Sequence, residues 1–413
     1  MYENTLSVTV LLIALGQILL TISLAIPRLN KAPIYLPLTL FFISSGLTFS
    51  LPAINTIWPK FTYYSLYLLL PTIFIQPVSL WLYIKGLTTT KAWRINRHYW
   101  PHFIPALLGV LSAVYIATIP SSMVIDLVIT GQQPTEKHAI VLVLMLFILF
   151  VIFMIQTTTY LIVIVKRLIR YRQQLHAVFS STEQKELLWV IWLVSIFALT
   201  WIAVLLHMFP FIYNNSPLVS SDFISLCYFA MIWTLSIWGL RQKPGFESHN
   251  VEAGKPVNNI DILSTISTVN ERLPNEKPRI SSPQSKYHRS ALGKDQSKSI
   301  ANKLHKAMQS QQYYLHANLS LPELAKYLLV PPNYLSQTLN EHLGESFFDY
   351  VNRLRTEHAK TLITKQDTSL LDIAMASGFN AKSSFYKAFK KYTGVTPGKF
   401  KKNLSNNVKI EPS

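Results

Sequence analysis

The sequence predicts an all-α protein of two unlike parts, a seven-helix transmembrane bundle over residues 1–240 and a basic helical domain over residues 297–404. Three observations predict this division. Half of the 413 residues are hydrophobic and only 14% are charged, with a mean hydropathy of +0.27; a soluble chain carries about a quarter of its residues charged. Apolar runs recur along the first 240 residues at lengths near the ~20 residues that cross a ~30 Å hydrocarbon core. Charge then collects at the other end: residues 297–413 hold 16 Lys and Arg against 8 Asp and Glu, a net +8 of the total +18. A basic tail on an apolar body points to a polyanion, either nucleic acid or anionic lipid headgroups.

The spans are expected near Val8–Ile26, Ile34–Leu51, Ser65–Ile84, Phe103–Ile119, Ile140–Val165, Leu187–Met208 and Phe223–Leu240. Pro37, Pro52 and Pro105 crowd the ends of the second and fourth. The fifth, IVLVLMLFILFVIFMIQTTTYLIVIV, is apolar all round. The first follows MYENTLS, which holds Glu3 and no Lys or Arg, so it lacks the positive region of a signal peptide and reads as a true span with its N-terminus outside. Connection charge agrees with that orientation. Arg28 and Lys31 follow the first span, and Lys85, Lys91, Arg94 and Arg97 the third. Lys166, Arg167, Arg170, Arg172 and Lys185 follow the fifth, and Arg241 and Lys243 the seventh. The alternate connections hold Lys60, then Lys137, then none, so odd spans end in the cytoplasm and the C-terminus lies inside. Trp93, Tyr99 and Trp100 fall where an interfacial aromatic belt belongs.

Polar residues in this half are the candidates for sensing. Gln76, Gln156 and His207 lie in or near spans, with Thr157–Thr159; Asp126 and Asp222 fall toward the outer face. Intramembrane polar groups mark functional sites by default, but inter-helix hydrogen bonding is the favoured reading for the uncharged ones. His98 and His102 have helical metal spacing interrupted by Pro101 and read as an interfacial pair. Cys227, the only cysteine, excludes an intrachain disulfide and a cysteine metal site. With no catalytic motif or phosphate-cradling glycine loop, neither enzymatic activity nor a cofactor or metal is expected.

Residues 241–296 change character to Pro, Ser, Asn and mixed charge, and read as a flexible cytoplasmic linker. About 55 residues of coil average about 40 Å end to end, enough to carry a small domain off a bilayer.

Beyond the linker, LSLPELAKYLLVPPNYLSQTLNEHL reads as helix, tight turn, helix. Ser320 and Glu323 form an expected capping box, with Pro322 in the first turn. Pro331 and Pro332 end that helix and start the next, whose outer face presents Asn333, Ser336, Gln337 and Asn340, amides that can pair with adenine. The pattern recurs about fifty residues on. Ser369 and Asp372 cap a short helix, Gly378 supplies the turn and Phe379 closes the core. A second helix follows from about Ala381, with Phe385, Ala388, Phe389 and Tyr392 inward. Lys382, Ser383, Ser384, Tyr386, Lys387 and Lys390 face out, base-reading residues first and phosphate-binding ones further along. Between the motifs, Phe348, Val351, Leu354, Ala359 and Leu362 mark the inward face of a connecting helix. A rod of about 16 residues spans roughly 24 Å, so that the two motifs can address successive major grooves. Residues 405–413 read as a disordered tail.

LPELAKYLLVPPNYLSQTLNEHLG, DYVNRLRTEHAKTLI and SLLDIAMASGFNAKSSFYKAFKKYTGVTPGKFKK together resemble the DNA-binding domain of the AraC/XylS family of bacterial transcription regulators. The resemblance covers about a quarter of the chain. It implies two helix-turn-helix motifs joined by a long helix, with base-facing positions at Asn333, Ser336 and Gln337 and at Lys382, Ser383, Ser384 and Lys387. Lys390 lies further along the same face. Leu329 departs from the family by standing at a turn position where Gly is frequent, as does Pro332 by opening the helix after it. The resemblance implies promoter DNA and RNA polymerase as partners; the spans add the lipid bilayer and an effector of unknown identity, and the long linker motivates the expectation of a homodimer formed through the bundle. The expected protein is a membrane-embedded one-component regulator in the bacterial inner membrane with its DNA-binding domain in the cytoplasm. The alternative is a transporter or membrane receptor with the tail as a regulatory appendage.

Overall fold

The computed structural model describes residues 5–30, 32–57, 61–89, 93–121, 123–124, 137–182, 185–208, 218–242, 293–365 and 368–408. Most of the expected linker, Asp126, and residues 409–413 of the expected tail lie outside the described residues. The chain divides into two compact units, Met1–Ile169 with Leu187–Pro256, and Arg170–Glu186 with Val257–Ser413. Every regular element among the described residues is helical.

The first unit holds α1 (Thr5–Leu29), α2 (Tyr35–Ile57), α3 (Thr62–Leu87), α4 (Ile104–Ala117), α5 (Lys137–Val178) as far as Ile169, α6 (Leu188–Met208) and α7 (Ser221–Arg241), with a 3-10 turn at Arg97–Phe103 leading into α4; the end of α5 from Arg170 belongs to the second unit. Apolar side chains cover most of the circumference of these helices. Leu19, Leu111, Phe147, Ile155 and Trp192 are all exposed, a surface suited to hydrocarbon and not to water. Among the described residues, six helices are long and apolar enough to cross a membrane, and Tyr35–Leu51 within α2 is a shorter apolar helix. Against the seven spans expected, the second is therefore the one that falls short. The fifth overshoots: α5 continues past Val165 to Val178, because Tyr171 and Leu175, one turn apart, are both buried.

Polar groups tie the helices of this unit together. The Tyr63 hydroxyl donates to the carbonyls of Ile116 and Ile119 at 3.1 Å each. That of Tyr83 donates to Gly239 O at 2.7 Å. Gln17 Nε2 donates to Ser236 Oγ at 2.7 Å, and Arg28 donates to Leu240 O. The three sensor candidates take part in the same kind of bonding at three different places. Gln76 Nε2 donates to Thr48 Oγ1 at 3.1 Å and Gln156 Nε2 to Phe74 O at 3.2 Å; His207 Nδ1 lies 2.7 Å from Val219 O. Asp222 accepts from Ser7 Oγ at 2.5 Å, and His102 Nδ1 meets the Tyr160 hydroxyl at 2.7 Å.

The second unit contains α8 (Lys294–Ser310), a 3-10 turn at Tyr313–Leu315, α9 (Leu321–Leu328), α10 (Pro332–Gln337), a π turn at Thr338–His342, α11 (Phe347–Lys365), α12 (Leu370–Ala376), α13 (Lys382–Thr393) and α14 (Pro397–Val408). It has two separate cores. Ile300, Leu304 and Met308 of α8 pack with Leu324 of α9, Leu335 of α10 and Val351 of α11. Ile363 of α11 packs with Ile373 of α12 and with Phe385 and Phe389 of α13, closed by Phe379. Helix α11 is thus shared between the two. Of the residues expected at helical spacing, Val351 and Ala359 are buried, Leu354 and Leu362 are half-buried against the two cores and Phe348 is half-buried; the fully inward series is Phe347, Val351, Arg355, Ala359, Ile363. That series repeats every fourth residue, the spacing that keeps side chains on one helical stripe.

Candidate nucleic-acid interface

The second motif forms as its sequence suggests. Ser369 Oγ accepts from Asp372 N at 3.1 Å and donates to Asp372 Oδ2 at 2.6 Å, closing the start of α12. Gly378 turns the chain at φ +85°. A Cβ there would lie 2.8 Å from both Tyr314 O and Leu315 O, so the turn is pressed against the loop before α9. In α13, Phe385 and Phe389 are fully buried, their rings 5.5 Å apart. The opposite face carries Lys382, Ser383, Lys387 and Lys390, all exposed, with Ser384 at its border half-buried. Lys382 Nζ lies 5.4 Å from the Tyr386 ring, which steers the ammonium along the outer face. The inner edge of α13 is anchored to α11. Tyr392 Oη donates to Asp349 O at 3.0 Å, and Lys391 Nζ bonds Asp349 Oδ1 at 2.6 Å. Burial alone would raise the Asp349 carboxyl, but Lys391, Ser346 and Tyr392 outweigh it and hold it below the usual range.

The first motif departs from expectation in three respects. Ser320 makes no side-chain cap on α9, so the expected capping box does not form. Ser320 is buried there and pairs as an isolated antiparallel bridge with Phe179. Leu329 is left-handed at φ +55° and 88% exposed, holding the turn in a conformation that costs an L-residue about 1–2 kcal/mol. Finally, α10 is one short α-helical stretch that widens into the π turn. Asn333 is exposed at its start, while Ser336 and Gln337 are half-buried. Gln337 Nε2 donates to Glu341 Oε2 at 2.8 Å and Asn340 Nδ2 to Ser336 O at 2.9 Å, so two outer amides are engaged within the helix.

Arg355 carries a role that the inward-face reading passed over. It is fully buried at the middle of α11, between the two cores. Its Nε donates to Tyr314 O at 2.7 Å, and Nη2 donates to His316 O at 2.8 Å and Ala317 O at 3.3 Å. Asn380, just before α13, donates to the same loop, at Asn318 Oδ1 (2.9 Å) and Ala317 O (3.3 Å). One loop therefore meets both motifs and the helix that joins them.

Residues 324–403 match the family model described as Helix-turn-helix domain. A protein of Staphylococcus aureus (strain COL) described as an uncharacterized HTH-type transcriptional regulator is 37% identical over 90 residues, 22% of this chain and 12% of its own length. The uncharacterized transcriptional regulatory protein YesN of Bacillus subtilis (strain 168) is 41% identical over 88 residues, 21% of this chain and 24% of YesN. The C-terminal domain of AraT, a response regulator from Geobacillus stearothermophilus, is 30% identical, with a TM-score of 0.23 over 24% of this chain and 84% of that structure. The chain thus spans a small fraction of the length of the curated relatives it matches, and the likeness lies in its C-terminal part. The chain carries an AraC-type helix-turn-helix domain there.

Proposed function

We propose that this chain is a membrane-embedded one-component transcription regulator. Its first unit sits in the bacterial inner membrane and senses an effector, and its helix-turn-helix domain binds promoter DNA sequence-specifically from the cytoplasmic side. The observation that carries the reading is the outer face of α13, Lys382, Ser383, Lys387 and Lys390, set opposite a sealed Phe385 and Phe389 core within a helix-turn-helix domain. Exposed Ser and Lys at the start of such a helix suit base edges, and the later lysines suit phosphates. Asn333 at the start of α10 is the matching position of the first motif; Ser336 and Gln337 contribute once their internal bonds exchange for base edges. The apolar helices of the first unit support membrane embedding, and the basic connections support a cytoplasmic C-terminus. Dimerisation through the bundle would place two domains on one promoter and tighten binding by raising effective concentration, with RNA polymerase as the downstream partner.

The test is genome-wide crosslinking and immunoprecipitation of the full-length protein in its native cell, beside a Lys382→Ala/Lys387→Ala variant. Discrete promoter peaks that the variant loses are the expected result. Diffuse or absent occupancy that the substitutions leave unchanged would refute sequence-specific binding through α13.

A further inference from the structure

The segment that follows α5, Phe179–Thr182, belongs to the same compact unit as the helix-turn-helix domain, although more than a hundred residues separate them in sequence. It is seated by directed bonds. Phe179 bridges Ser320 in antiparallel fashion, and Ser180 N donates to Leu319 O at 3.1 Å. Ser180 Oγ donates to Leu319 O at 2.6 Å, and Ser181 Oγ to Ala317 O at 3.0 Å. From the other side, Asn352 Nδ2 donates to Ser180 O at 3.2 Å. Arg355 donates to Ser180 Oγ at 3.1 Å and to Ser180 O at 3.3 Å. Phe179 and Ser180 are buried. One turn earlier, the His176 ring stacks on Phe348 of α11 at 4.3 Å with planes 10° apart. Glu186 bonds Thr182 Oγ1 at 2.7 Å and lies 3.4 Å from His176 Nε2, which closes the segment on itself.

The seat matters more than the number of bonds. Ala317 O accepts from Ser181, Arg355 and Asn380 together. The segment therefore docks on the loop that ties the first motif to α11 and to the start of α13. None of the bonds just named reaches Lys382, Ser383, Lys387 or Asn333, so docking leaves the outer faces uncovered while bracing the joint between them.

We propose that Phe179–Thr182 is an intramolecular latch whose docked state is the DNA-competent one. Through it, helix α5 controls the spacing of the two motifs. The proposal rests on the DNA-binding reading above and adds its regulation. Undocking takes Ser180 and Ser181 from Arg355 and the acceptor Ser180 O from Asn352. The loop at Tyr314–Asn318 then loses a brace, and the motifs lose the fixed separation needed to enter successive grooves. Movement of α5 along or about its axis is the input, because the latch is its direct continuation.

The test uses the full-length chain in lipid nanodiscs and a duplex selected from a randomised library by the wild type. Phe179→Cys/Ser320→Cys is the locking variant, since directly opposed antiparallel residues lie within disulfide reach. Ser180→Pro is the releasing variant, since it removes the N–H given to Leu319. The expected results are an intrachain crosslink in the oxidised locking variant, with affinity near that of the wild type. Ser180→Pro should bind about tenfold or more weakly, as loss of preorganisation predicts, with protection of 293–408 from protease retained. Failure to crosslink, or wild-type affinity in Ser180→Pro, would overturn the latch. So would tighter binding by Ser180→Pro together with loss of binding on locking, since the contact would then be inhibitory. A wild type that selects no duplex would instead sink the DNA-binding reading, and the latch with it.

Discussion

Gly378→Ala should be far more damaging than Gly394→Ala, although both glycines have positive φ, +85° and +77°. The conformational term is shared. Alanine in the left-handed region costs about 1–2 kcal/mol. The steric term is not. At Gly394 a Cβ meets nothing within 4 Å, whereas at Gly378 it comes within 2.8 Å of Tyr314 O and Leu315 O. These are backbone atoms, and Tyr314 O is held by Arg355 Nε at 2.7 Å, so the neighbour cannot rotate aside. Forcing atoms into a packed site typically adds about 1–3 kcal/mol. Gly394→Ala should therefore destabilise the domain by about 1–2 kcal/mol, and Gly378→Ala by about 2–5 kcal/mol on the same sum. Pulse proteolysis of the full-length protein over a urea series, following the C-terminal fragment, measures both. Equal losses in the two variants would refute the reasoning, because the turn of the second motif would then not be pressed on the Tyr314–Leu315 loop.

Three further outcomes are expected. Leu329→Gly relieves a left-handed L-residue that is 88% exposed, so the domain should gain about 0.5–1 kcal/mol in the same assay; a loss would mean that the Leu329 side chain has a packing role. Phe389→Ala removes a fully buried ring lying 5.5 Å from Phe385 and 5.4 Å from Phe400, and should cost about 3–5 kcal/mol. Because the two cores are separate, protease should cut first beyond α11, and uniform cleavage across 293–408 would count against two cores. For Asp349 the folded carboxyl titrates below its unfolded range, so its contribution is present above that range and is lost as pH falls through the folded value. The pair with Lys391 is partly exposed and worth about 0.2–1 kcal/mol. Asp349→Asn should flatten the acid-side fall in stability, and an unchanged pH profile would remove Asp349 from the anchoring of α13.

The second motif was legible because its local signals agree: a serine cap, a glycine where φ is positive, and phenylalanines four apart on one face of α13. The start of α9 was only partly legible: Ser320 stands at the N-cap as expected but makes no side-chain cap, and no local pattern announces its bridge to Phe179, distant in the chain. Arg355, at the centre of the buried stripe of α11, was missed for a different reason. Arg355 falls four residues after Val351 and four before Ala359, so its inward position followed from spacing alone, but an arginine there reads as surface. Helix α8 carries Ile300, Leu304, Ala307 and Met308 at helical spacing, a signal that its polar composition and the adjoining Pro/Ser-rich stretch obscured. Among the apolar helices, length was readable to within a turn except for α2, which runs on from Leu51 to Ile57, and α5, where basic residues suggested an end and buried Tyr171 and Leu175 carried the helix on.

A buried arginine is an expensive way to hold two cores together, since a well-packed apolar residue of similar volume often serves stability as well or better. Its use at the centre of α11 is understood through direction. Apolar burial is non-directional, so a hydrophobic seam would tolerate sliding of one motif against the other along α11. A guanidinium instead presents donors in a fixed plane. Here Nε and Nη2 reach three carbonyls of one loop, Tyr314, His316 and Ala317, and only one placement of that loop satisfies all of them. Asn380 reads the same loop from the second motif, so the loop acts as a gauge between α10 and α13. The 19 residues of α11 give a rod of about 28 Å. For a protein that reads successive grooves about 34 Å apart, as proposed, small errors in that spacing cost more than a modest loss of stability. The same logic explains why the serines of the latch serve better at this joint than apolar side chains would. Ser180 and Ser181 engage the gauge through bonds that are either made or broken, which suits a contact that must report the position of α5.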